Sequence, residues 1–394
     1  MQHFITIKKK YVFMKIGIVC YPTFGGSGVV ATELGKALAD EGHQVHFITY
    51  SQPARLDFFS ANLFYHEVSV RDYPLFDYAP YESALASKLV DVVRFEKLDI
   101  LHVHYAIPHA SAAFMAQQIL ETYGIFIPFV TTLHGTDITL VGKDPTYKPV
   151  VTFSINKSNG VTTVSESLKK DTEEHFEITN EIKVIANFID FSRFSLKPKD
   201  HFKKAIAPNN ERILIHTSNF RKVKRTADVI RIFQKIQEKI PSKLLMVGDG
   251  PERAYDEQLC RSLGICEHVR FLGKQDAVEE ILSVSDLFLM PSESESFGLA
   301  ALEAMACKVP AITSNSGGLP ELNIDGFSGF MSNVGDVEDM ANKAIYILES
   351  DEVLQQFKEN AFARAQDFDL KKILPDYVNY YNKVIEESHK LHKV

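Results

Sequence analysis

The sequence predicts an α/β protein made of two doubly wound, Rossmann-like domains that face each other across a cleft. Short apolar runs alternate with helical patterns in both halves of the chain. A polar, proline-bearing segment interrupts this alternation near residue 187, and glycine-rich turns directly follow several apolar runs. Ligands of such sheets bind beyond the carboxyl ends of the strands, so we expect the functional site in the cleft.

The first half begins with the predicted strand "KIGIVCYP", the glycine loop "TFGGSG" and the helix "VVATELGKALADEGH". The next predicted strands are "QVHFITY", "LDILHVHY", "PFVTTLHG" and "GVTTVS", with helical segments between them. Strands that alternate with helices indicate a parallel sheet covered on both faces. We assign this first domain to residues 14–187.

The segment "NFIDFSRFSLKPKDHFKKAIAPNNE" is polar and basic and is interpreted as the linker. A second series of strands follows, "RILIHTSNF", "SKLLMVGDGPE", "VRFLGK", "SDLFLMPS" and "VPAITSN", which places the second domain at residues 188–374. The last stretch, residues 375–394, is a predicted helix with aromatic residues on one face. We expect it to pack back onto the first domain.

The composition excludes several classes of protein. The chain has 394 residues, 45% of them hydrophobic, and its net charge of −8 argues against nucleic acid as a partner. Four scattered cysteines without a CxxC pair predict reduced thiols and a cytoplasmic protein. We expect no signal peptide and no membrane span, and "KKK" near the start is the one weak candidate for a membrane patch.

The loop "GGSG" fits a dinucleotide fingerprint, because Gly26, Gly28 and Ala31 satisfy G-x-G-x-x-A. That fingerprint expects an acidic residue about 20 positions later, at the end of the second strand. The second strand ends "ITYSQ", without an acid, so we discount nicotinamide binding. Two hypotheses stay open: an anion held at the helix N-terminus, and a tight turn with a purely structural role.

Histidines follow or occupy two strands of the first domain. His134 in "TTLHGTD" stands at a strand end and is either a cleft residue or a structural one. His102 and His104 lie on one face of their strand, which suggests a metal pair. We favour packing for this pair, because no third ligand stands at a suitable spacing.

Basic residues crowd the start of a helix in "SNFRKVKR", after the first strand of the second domain. They form either a solvated face or, at a strand end facing the cleft, a phosphate site that includes Arg221 and Lys224. The turn "VGDGPE" contains Gly248 and Gly250, whose missing side chains would allow the backbone to approach a nucleotide.

The stretch "SESESFGLAALEAMA" contains Glu295 and Glu303, eight positions apart. On one helix these carboxylates would lie about 80° and about 12 Å apart, a poor spacing for one shared reaction. We predict that the helix begins near Ser296 or Phe297, which leaves Glu295 in the preceding loop and free amides up to Leu299 as an anion site. The alternative is that Glu295 complements the helix dipole and Glu303 is solvated.

The combination of these blocks resembles the retaining GT-B glycosyltransferases of family 4. The resemblance rests on Glu295-x7-Glu303 within "ESFGLAALEAMA" and on "VPAITSNSGGLPE" just after it. It extends to "KIGIVCYPTFGGSGVVATELGKALA", "LDILHVHYAIPHA", "TTLHGTDIT", "LIHTSNFRKVKR", "VGDGPE" and "FLGKQD", and so covers most of residues 14 to about 330. Within the family, the set looks like the branch that glycosylates L-malate.

The resemblance implies a GT-B fold, with the acceptor in the first domain and the donor mainly in the second. It implies transfer of GlcNAc from UDP-GlcNAc to the 2-hydroxyl of L-malate, with retention at the anomeric carbon, as the first step of bacillithiol biosynthesis. The expected partners are these two small molecules, with no cofactor, no metal, no nucleic acid and no stable membrane association. A homodimer is the expected assembly.

The resemblance also assigns roles to residues of this chain. The implied catalytic residues are Lys224, Arg221, His134 and Glu295. The implied donor-binding residues are Gly26, Arg221, Lys224, Gly248, Gly250, Glu295, Ser296, Phe297, Gly298, Leu299 and Glu303. The implied acceptor-binding residues are Gly26, Ser27, Tyr105 and Thr132.

Two positions depart from the family pattern. Asn219 stands where many relatives carry arginine, so Arg221 would have to supply that charge. Lys308 stands where glycine is common after "EAMAC", which affects a turn more than the chemistry.

Since no DxD motif occupies the predicted cleft loops, we expect Lys224 and Arg221 to stabilise the departing diphosphate in place of a metal ion. No carboxylate stands out as a nucleophile, so we expect front-face attack. Three rival hypotheses remain: a family-4 enzyme with another acceptor, a UDP-GlcNAc 2-epimerase, and a sensor that binds UDP-GlcNAc without turnover.

Overall fold

Two separate parallel sheets, each with helices around it, confirm the predicted α/β class. The computed structural model describes residues 13–23, 25–56, 60–70, 79–195 and 200–392. The basic "KKK" segment at residues 8–10 lies outside the described residues.

The first sheet has seven strands in the order β3-β2-β1-β4-β5-β6-β7, and every neighbouring pair is parallel. Its strands are β1 Lys15–Val19, β2 Gln44–Thr49, β3 Leu63–Glu67, β4 Ile100–His104, β5 Phe129–Leu133, β6 Gly160–Thr163 and β7 Ile182–Val184. Its helices are α1 Gly26–Asp40, α2 Tyr81–Glu96, α3 Ser111–Glu121, α4 Lys148–Lys157 and α5 Glu166–His175.

The second sheet has six parallel strands in the order β10-β9-β8-β11-β12-β13. Its strands are β8 Arg212–Ser218, β9 Ser242–Gly248, β10 Val269–Gly273, β11 Leu287–Met290, β12 Ala311–Ser314 and β13 Gly329–Ser332. The helices of this half are α6 Asp200–Ile206, α7 Thr226–Gln237, α8 Arg253–Ser262, α9 Val278–Leu282, α10 Leu299–Ala306, α11 Leu319–Leu322, α12 Val337–Leu348 and α13 Asp351–Ala365.

The central strands are buried on both faces, as parallel strands between helices must be. All residues of β4, β5, β6, β11 and β12 are buried. Side chains alternate between the two layers of helices along β1, where Ile16 and Ile18 join α1 in one core and Val19 joins α2 in the other. This packing fixes the strand ends from which the cleft loops extend.

The last helix, α14 Leu370–His392, returns to the first domain and buries Tyr377, Tyr381 and Val384 in the same core as Ile16. It begins five residues before the predicted start at Pro375. Proline is common at the first helical position, which is why the sequence suggests a start there. The extra turn forms because Asp369 caps it, accepting from the amide of Lys371 at 3.0 Å.

The chain therefore passes between the domains twice, and the two passages touch. Ile189, after β7, donates its amide to the oxygen of Phe368 at 2.9 Å and accepts from the amide of Leu370 at 3.0 Å. The pairing of Ile189 with Asp369 is an isolated parallel bridge. The two connections thus form one hydrogen-bonded unit at the domain boundary.

Among the described residues, every helix falls short of the length and apolar character that crossing a bilayer requires.

Candidate functional site

The carboxyl ends of the two sheets face each other, and loops from both domains touch there. Ser296, in the loop after β11, donates its hydroxyl to the main-chain oxygen of His134 after β5, at 2.6 Å. Ser165, just after β6, donates to the oxygen of Ser296, also at 2.6 Å. These contacts bring together the first-domain and second-domain loops that the sequence singles out.

The glycine loop after β1 leads directly into α1, which begins at Gly26 after an N-cap Gly25 that has no side-chain cap. A Cβ on Gly28 would lie 2.4 Å from the oxygen of Tyr21, so the tight turn requires glycine there. A Cβ on Gly26 would meet only Leu299 of the second domain, at 3.7 Å. Gly28 is therefore a turn residue, whereas Gly26 lies where the two domains approach.

Ser27 and Tyr105 form a hydroxyl pair at the start of α1, with their oxygens 2.9 Å apart. The backbone of Tyr105 has φ of 83°, an unusual value for a residue with a side chain. Burial raises the pKa of Tyr105 to about 12, so its hydroxyl stays protonated. The pair can offer neutral donors and acceptors to a ligand without adding charge.

Thr132 does not join this pair in the structure. Its side chain is completely buried, and its hydroxyl contacts His102 Nε2 and the hydroxyl of Thr162, each at 2.6 Å. His102 Nδ1 in turn contacts the hydroxyl of Tyr381 on α14, at 2.7 Å. Thr132 lies on a central strand and points into the domain. Its hydroxyl therefore belongs to a buried polar network and is not presented to an acceptor in the cleft, contrary to expectation.

His134 lies at the cleft end of a second network and is 9% exposed. Its Nε2 is 2.7 Å from Nδ1 of His104, and the two rings are stacked with centroids 5.0 Å apart. Burial lowers the pKa of His134 to about 3, so the imidazole is neutral at ordinary pH. His102 and His104 therefore use ring nitrogens for hydrogen bonds inside the domain, in keeping with the packing hypothesis.

Asp137 organises the same loop, although sequence analysis assigns it no role. Its carboxylate accepts from the amides of His134, Gly135 and Ala106 at 3.2, 3.0 and 3.1 Å. Burial raises its pKa to about 6, with these amides acting in the opposite direction. The signal was present in "HGTD", where an acid follows a strand-end glycine and can accept from the turn's own amides.

Lys224 and Glu295 form an ion pair between the loops after β8 and β11, with Nζ 2.5 Å from Oε1. Ser292 also donates to Oε1 of Glu295, at 3.0 Å. Arg221 is exposed just before the short turn that carries Lys224, and it has no ion pair among the described residues. Within the same loop, Lys224 is thus paired with a carboxylate, whereas Arg221 has no such partner among the described residues.

Gly248 and Gly250 lie where the loop after β9 crosses the loop after β8. A Cβ on Gly248 would lie 1.8 Å from the oxygen of Ser218, and one on Gly250 would lie 2.0 Å from the oxygen of Asn219. Any side chain at either position would collide with backbone. The crossing of the two loops therefore accounts for both glycines on its own.

The helix after β11 begins later than predicted. α10 starts at Leu299, after an N-cap Gly298 with φ of 98°, rather than at Ser296 or Phe297. A left-handed residue cannot continue a right-handed helix, so Gly298 delays the start, and Phe297 is buried. The first intrahelical bonds reach Ala301 and Leu302, which leaves the amide of Leu299 among the free donors at the N-terminus.

Glu303 lies in the second turn of α10, where it is 8% exposed. Its Oε1 is 3.8 Å from a guanidinium nitrogen of Arg55, in the loop after β2. Burial raises the pKa of Glu303 to about 7, and Arg55 acts in the opposite direction. Glu295 thus contacts a cation of the second domain, and Glu303 contacts a cation of the first. The two carboxylates lie in separate parts of one cleft.

Glu303, an expected donor-binding residue, lines an interdomain pocket together with Arg55, which was not predicted from the sequence. Its walls come from α1, the linker and α10: Val29, Val30, Glu33, Arg55, Phe188, Ile189, Asp190, Arg193, Phe194, Leu299 and Glu303. Arg55 comes only six residues after β2, near the position where a dinucleotide-binding protein carries its acid. An arginine near the position of the expected acid was therefore the sequence feature that could have revealed Arg55 as a cleft residue.

Comparison with known proteins agrees with this geometry. Residues 24–193 match the profile of Glycosyltransferase Family 4, and residues 197–364 match that of glycosyl transferases group 1. The chain is 47% identical to N-acetyl-alpha-D-glucosaminyl L-malate synthase of Bacillus anthracis, over 95% of this chain and 98% of that protein. The chain belongs to glycosyltransferase family 4. A more distant relative, D-inositol 3-phosphate glycosyltransferase 2 of Catenulispora acidiphila, is 24% identical over 92% of this chain and 91% of its own.

Solved structures place this glycosyltransferase in the GT-B fold. HepE of Anabaena, in complex with UDP and glucose, superposes with a TM-score of 0.79 at 21% identity, covering 94% of this chain and 99% of that one. Sucrose-phosphate synthase of Thermosynechococcus elongatus gives 0.78 at 19% identity, covering 95% and 100%. The predicted two-domain GT-B architecture is confirmed.

The electrostatics of the glycosyltransferase cleft favour an anion next to the loop after β8. Lys224, Arg221 and the N-terminus of α10 all come from loops at the carboxyl end of the second sheet. His216 lies behind them, with its ring nitrogens bonded to the oxygen of Leu289 and the hydroxyl of Ser218, each at 2.8 Å. Burial lowers the pKa of His216 to about 4, so it adds no charge.

Proposed function

We propose that this chain transfers GlcNAc from UDP-GlcNAc to the 2-hydroxyl of L-malate, with retention at the anomeric carbon and release of UDP. This reaction is the first step of bacillithiol biosynthesis. The observation that carries the proposal is the 47% identity to the L-malate synthase over nearly the full length of both chains. The proposal includes a cytoplasmic location, supported by four free cysteines, and a homodimeric assembly.

The donor would occupy the second-domain side of the cleft. Glu303 would accept hydrogen bonds from the ribose hydroxyls, and the amide of Leu299 would face the diphosphate. Glu295 would hold the sugar, with the segment from Ser296 to Gly298 shaping the site. Glu295 binds Lys224, and this contact would keep Lys224 next to the phosphate subsite before the donor binds.

The acceptor would bind on the first-domain side. Ser27 and Tyr105 offer a prearranged pair of hydroxyls beside Gly26. The amides at the start of α1 attract negative charge, which suits a dicarboxylate such as L-malate. The imidazole of His134 is neutral. It can therefore form a hydrogen bond with a sugar hydroxyl without acting as a second cation for the diphosphate.

The leaving diphosphate gains negative charge as the glycosidic bond to UDP breaks. Lys224 and Arg221 stabilise that charge more in the transition state than in the ground state, which lowers the barrier. The malate hydroxyl attacks from the face that UDP leaves, and an oxygen of the β-phosphate accepts its proton. Asp137 accepts from three amides and Glu295 binds Lys224, so neither of these carboxylates is poised as a nucleophile, which supports this route.

The decisive experiment measures UDP release from UDP-GlcNAc with and without L-malate and examines the product by mass spectrometry and NMR. We expect malate-dependent UDP release and an α-linked GlcNAc-malate product. UDP release that does not depend on malate would contradict malate as the acceptor. It would indicate a family-4 glycosyltransferase that uses another acceptor. Conversion of UDP-GlcNAc into its C2 epimer without an acceptor would indicate the 2-epimerase. Binding of UDP-GlcNAc without turnover would indicate a sensor. A trapped glycosyl-enzyme would contradict front-face attack.

A further inference from the structure

Two histidines and a glutamate meet at the edge of the first sheet, on its α2 side. Nδ1 of His46 on β2 lies 3.0 Å from Nε2 of His66 on β3. A carboxylate oxygen of Glu96, the last residue of α2, completes the group, and the three ligand atoms lie within 4.8 Å of one another. None of these residues takes part in the proposed transfer reaction.

The fold itself brings the three together. His46 is opposite Phe64 in the parallel register, and His66 follows two positions later on the same face of the sheet. The ring of Phe64 stacks on that of His46 with centroids 4.6 Å apart, which fixes the orientation of the imidazole. α2 covers this face and ends at Glu96, followed by Lys97 in a left-handed conformation.

The geometry suits a transition-metal ion. An ion about 2.05 Å from both nitrogens would see them at an angle of about 94°, within the range of tetrahedral to octahedral sites. His66 and Glu96 are only partly buried, so water can complete the coordination.

The surrounding charges leave the carboxylate of Glu96 available. Lys15 donates to the main-chain oxygen of Glu96 at 2.9 Å rather than to its carboxylate. Glu96 has no ion pair among the described residues. The partial negative charge at the C-terminus of α2 favours a cation, whereas the ammonium group of Lys15 opposes it.

We propose that His46, His66 and Glu96 form a binding site for a divalent transition-metal ion, with Zn²⁺ the best match to the two nitrogens and one oxygen. The ion would join edge strand β3 to the end of α2. The site lies at the end of α2 and near the start of β1, whereas the cleft lies at the opposite, carboxyl ends of the strands. The ion would therefore act on stability and not on transfer.

A second cluster of similar composition provides the control. Asp171, Glu174 and His175 stand together on one turn of α5. Nδ1 of His175 already contacts the main-chain oxygen of Asp171 at 2.8 Å. This group joins no separate elements, so we expect it to bind no ion tightly.

The test uses the full chain without a histidine tag, treated with chelator and then dialysed. Because Cys266 is exposed and could bind metal itself, all proteins carry Cys266→Ser. Zn²⁺ binding is measured by competition with a chromophoric chelator, Co²⁺ binding by its visible absorption, and stability by thermal unfolding. We expect one saturable equivalent and a rise in Tm with Zn²⁺.

His66→Gln and Glu96→Gln should each weaken Zn²⁺ binding at least tenfold and abolish the rise in Tm, whereas His175→Gln should change neither. In chelator, the Tm of Glu96→Gln should equal that of the parent, which separates metal loss from misfolding. The absence of saturable binding, or binding that survives His66→Gln, would overturn the proposal. UDP release is measured in parallel with and without Zn²⁺, and a strict requirement for Zn²⁺ would contradict the structural role.

Discussion

Ser296 donates its hydroxyl across the domain boundary to the main-chain oxygen of His134, at 2.6 Å. Ser165 donates to the oxygen of Ser296 at the same distance. The loop that leads into α10 is therefore held between two first-domain loops.

Replacing Gly135 with alanine should disturb this contact. Gly135 has φ of 112°, and its Cβ would lie 2.2 Å from the hydroxyl oxygen of Ser296. We expect kcat/KM for UDP-GlcNAc to fall at least tenfold, together with a loss of about 1–3 kcal/mol in the free energy of unfolding. Gly124→Ala is the matched control, since Gly124 has φ of 70° but nothing within 4 Å. Equal activity losses in both variants would contradict the steric explanation.

Replacing Lys224 with alanine should lower kcat by about 10²–10³, because the departing diphosphate loses a fixed cation. Initial rates of UDP release in saturating substrates measure the effect. Lys222→Ala is the control, since Lys222 is exposed in the same short turn and has no ion pair among the described residues. Near-normal turnover in Lys224→Ala would remove this residue from the mechanism.

Glu303 should make stability fall as the pH rises towards neutrality. Burial raises its pKa from an ordinary 4.5 to about 7, so between these values the folded protein keeps a proton that the unfolded chain has released. The contribution of Glu303 to the free energy of unfolding therefore decreases with increasing pH in this window and levels off above about pH 7, whereas buried histidines such as His134 and His216, whose pKa values are lowered, contribute with the opposite sign. Glu303→Gln should remove this contribution, so the difference in the free energy of unfolding between the wild type and the variant should change by up to about 3 kcal/mol across the window.

Urea unfolding at several pH values between 4.5 and 8 measures this difference between the wild type and Glu303→Gln. Glu352→Gln, at an exposed position on α13, serves as the control and should follow the wild-type curve. Parallel curves for the wild type and Glu303→Gln would show that Glu303 titrates normally in the folded protein.

The two buried tyrosines of α14 should respond differently to loss of their hydroxyls. The hydroxyl of Tyr381 contacts His102 Nδ1 at 2.7 Å, whereas that of Tyr377 is buried with no partner among the described residues. Tyr381→Phe should cost about 1–3 kcal/mol by leaving a ring nitrogen unpaired, and Tyr377→Phe should be neutral or stabilising. Urea unfolding of both variants decides this, and a larger loss for Tyr377→Phe would contradict the hydrogen-bond assignment.

The central strands and the loops at their carboxyl ends were predictable from the sequence, whereas the edge strands β3, β7 and β13 were missed. Apolar runs such as "LDILHVHY" are short and buried on both faces, and the carboxyl-end rule then selects the loops that carry Tyr105, His134 and Lys224. The buried central strands carry this local pattern, whereas edge strands such as β3 and β7 are only partly buried and lack it.

The remaining details depended on contacts between segments far apart in the chain. The start of α10 was predicted too early, because the left-handed backbone of Gly298 is not evident from residue type. Arg55 was missed, because its partner Glu303 lies on the other domain. Thr132 was expected to face the cleft, but in the structure its hydroxyl contacts His102 and Thr162 inside the domain. The sequence does not show these partners, so it does not show which way the side chain points.

The paired passages at Ile189 and Phe368–Leu370 determine how the domains can move. A single connecting segment would act as a swivel and allow rotation about many axes. Two hydrogen-bonded segments lying side by side act as a hinge, since twisting would shear the bonds between them. We therefore expect the domains to open and close about one line, so that each closure returns Ser296 to His134 and Leu299 to Gly26 in the same alignment.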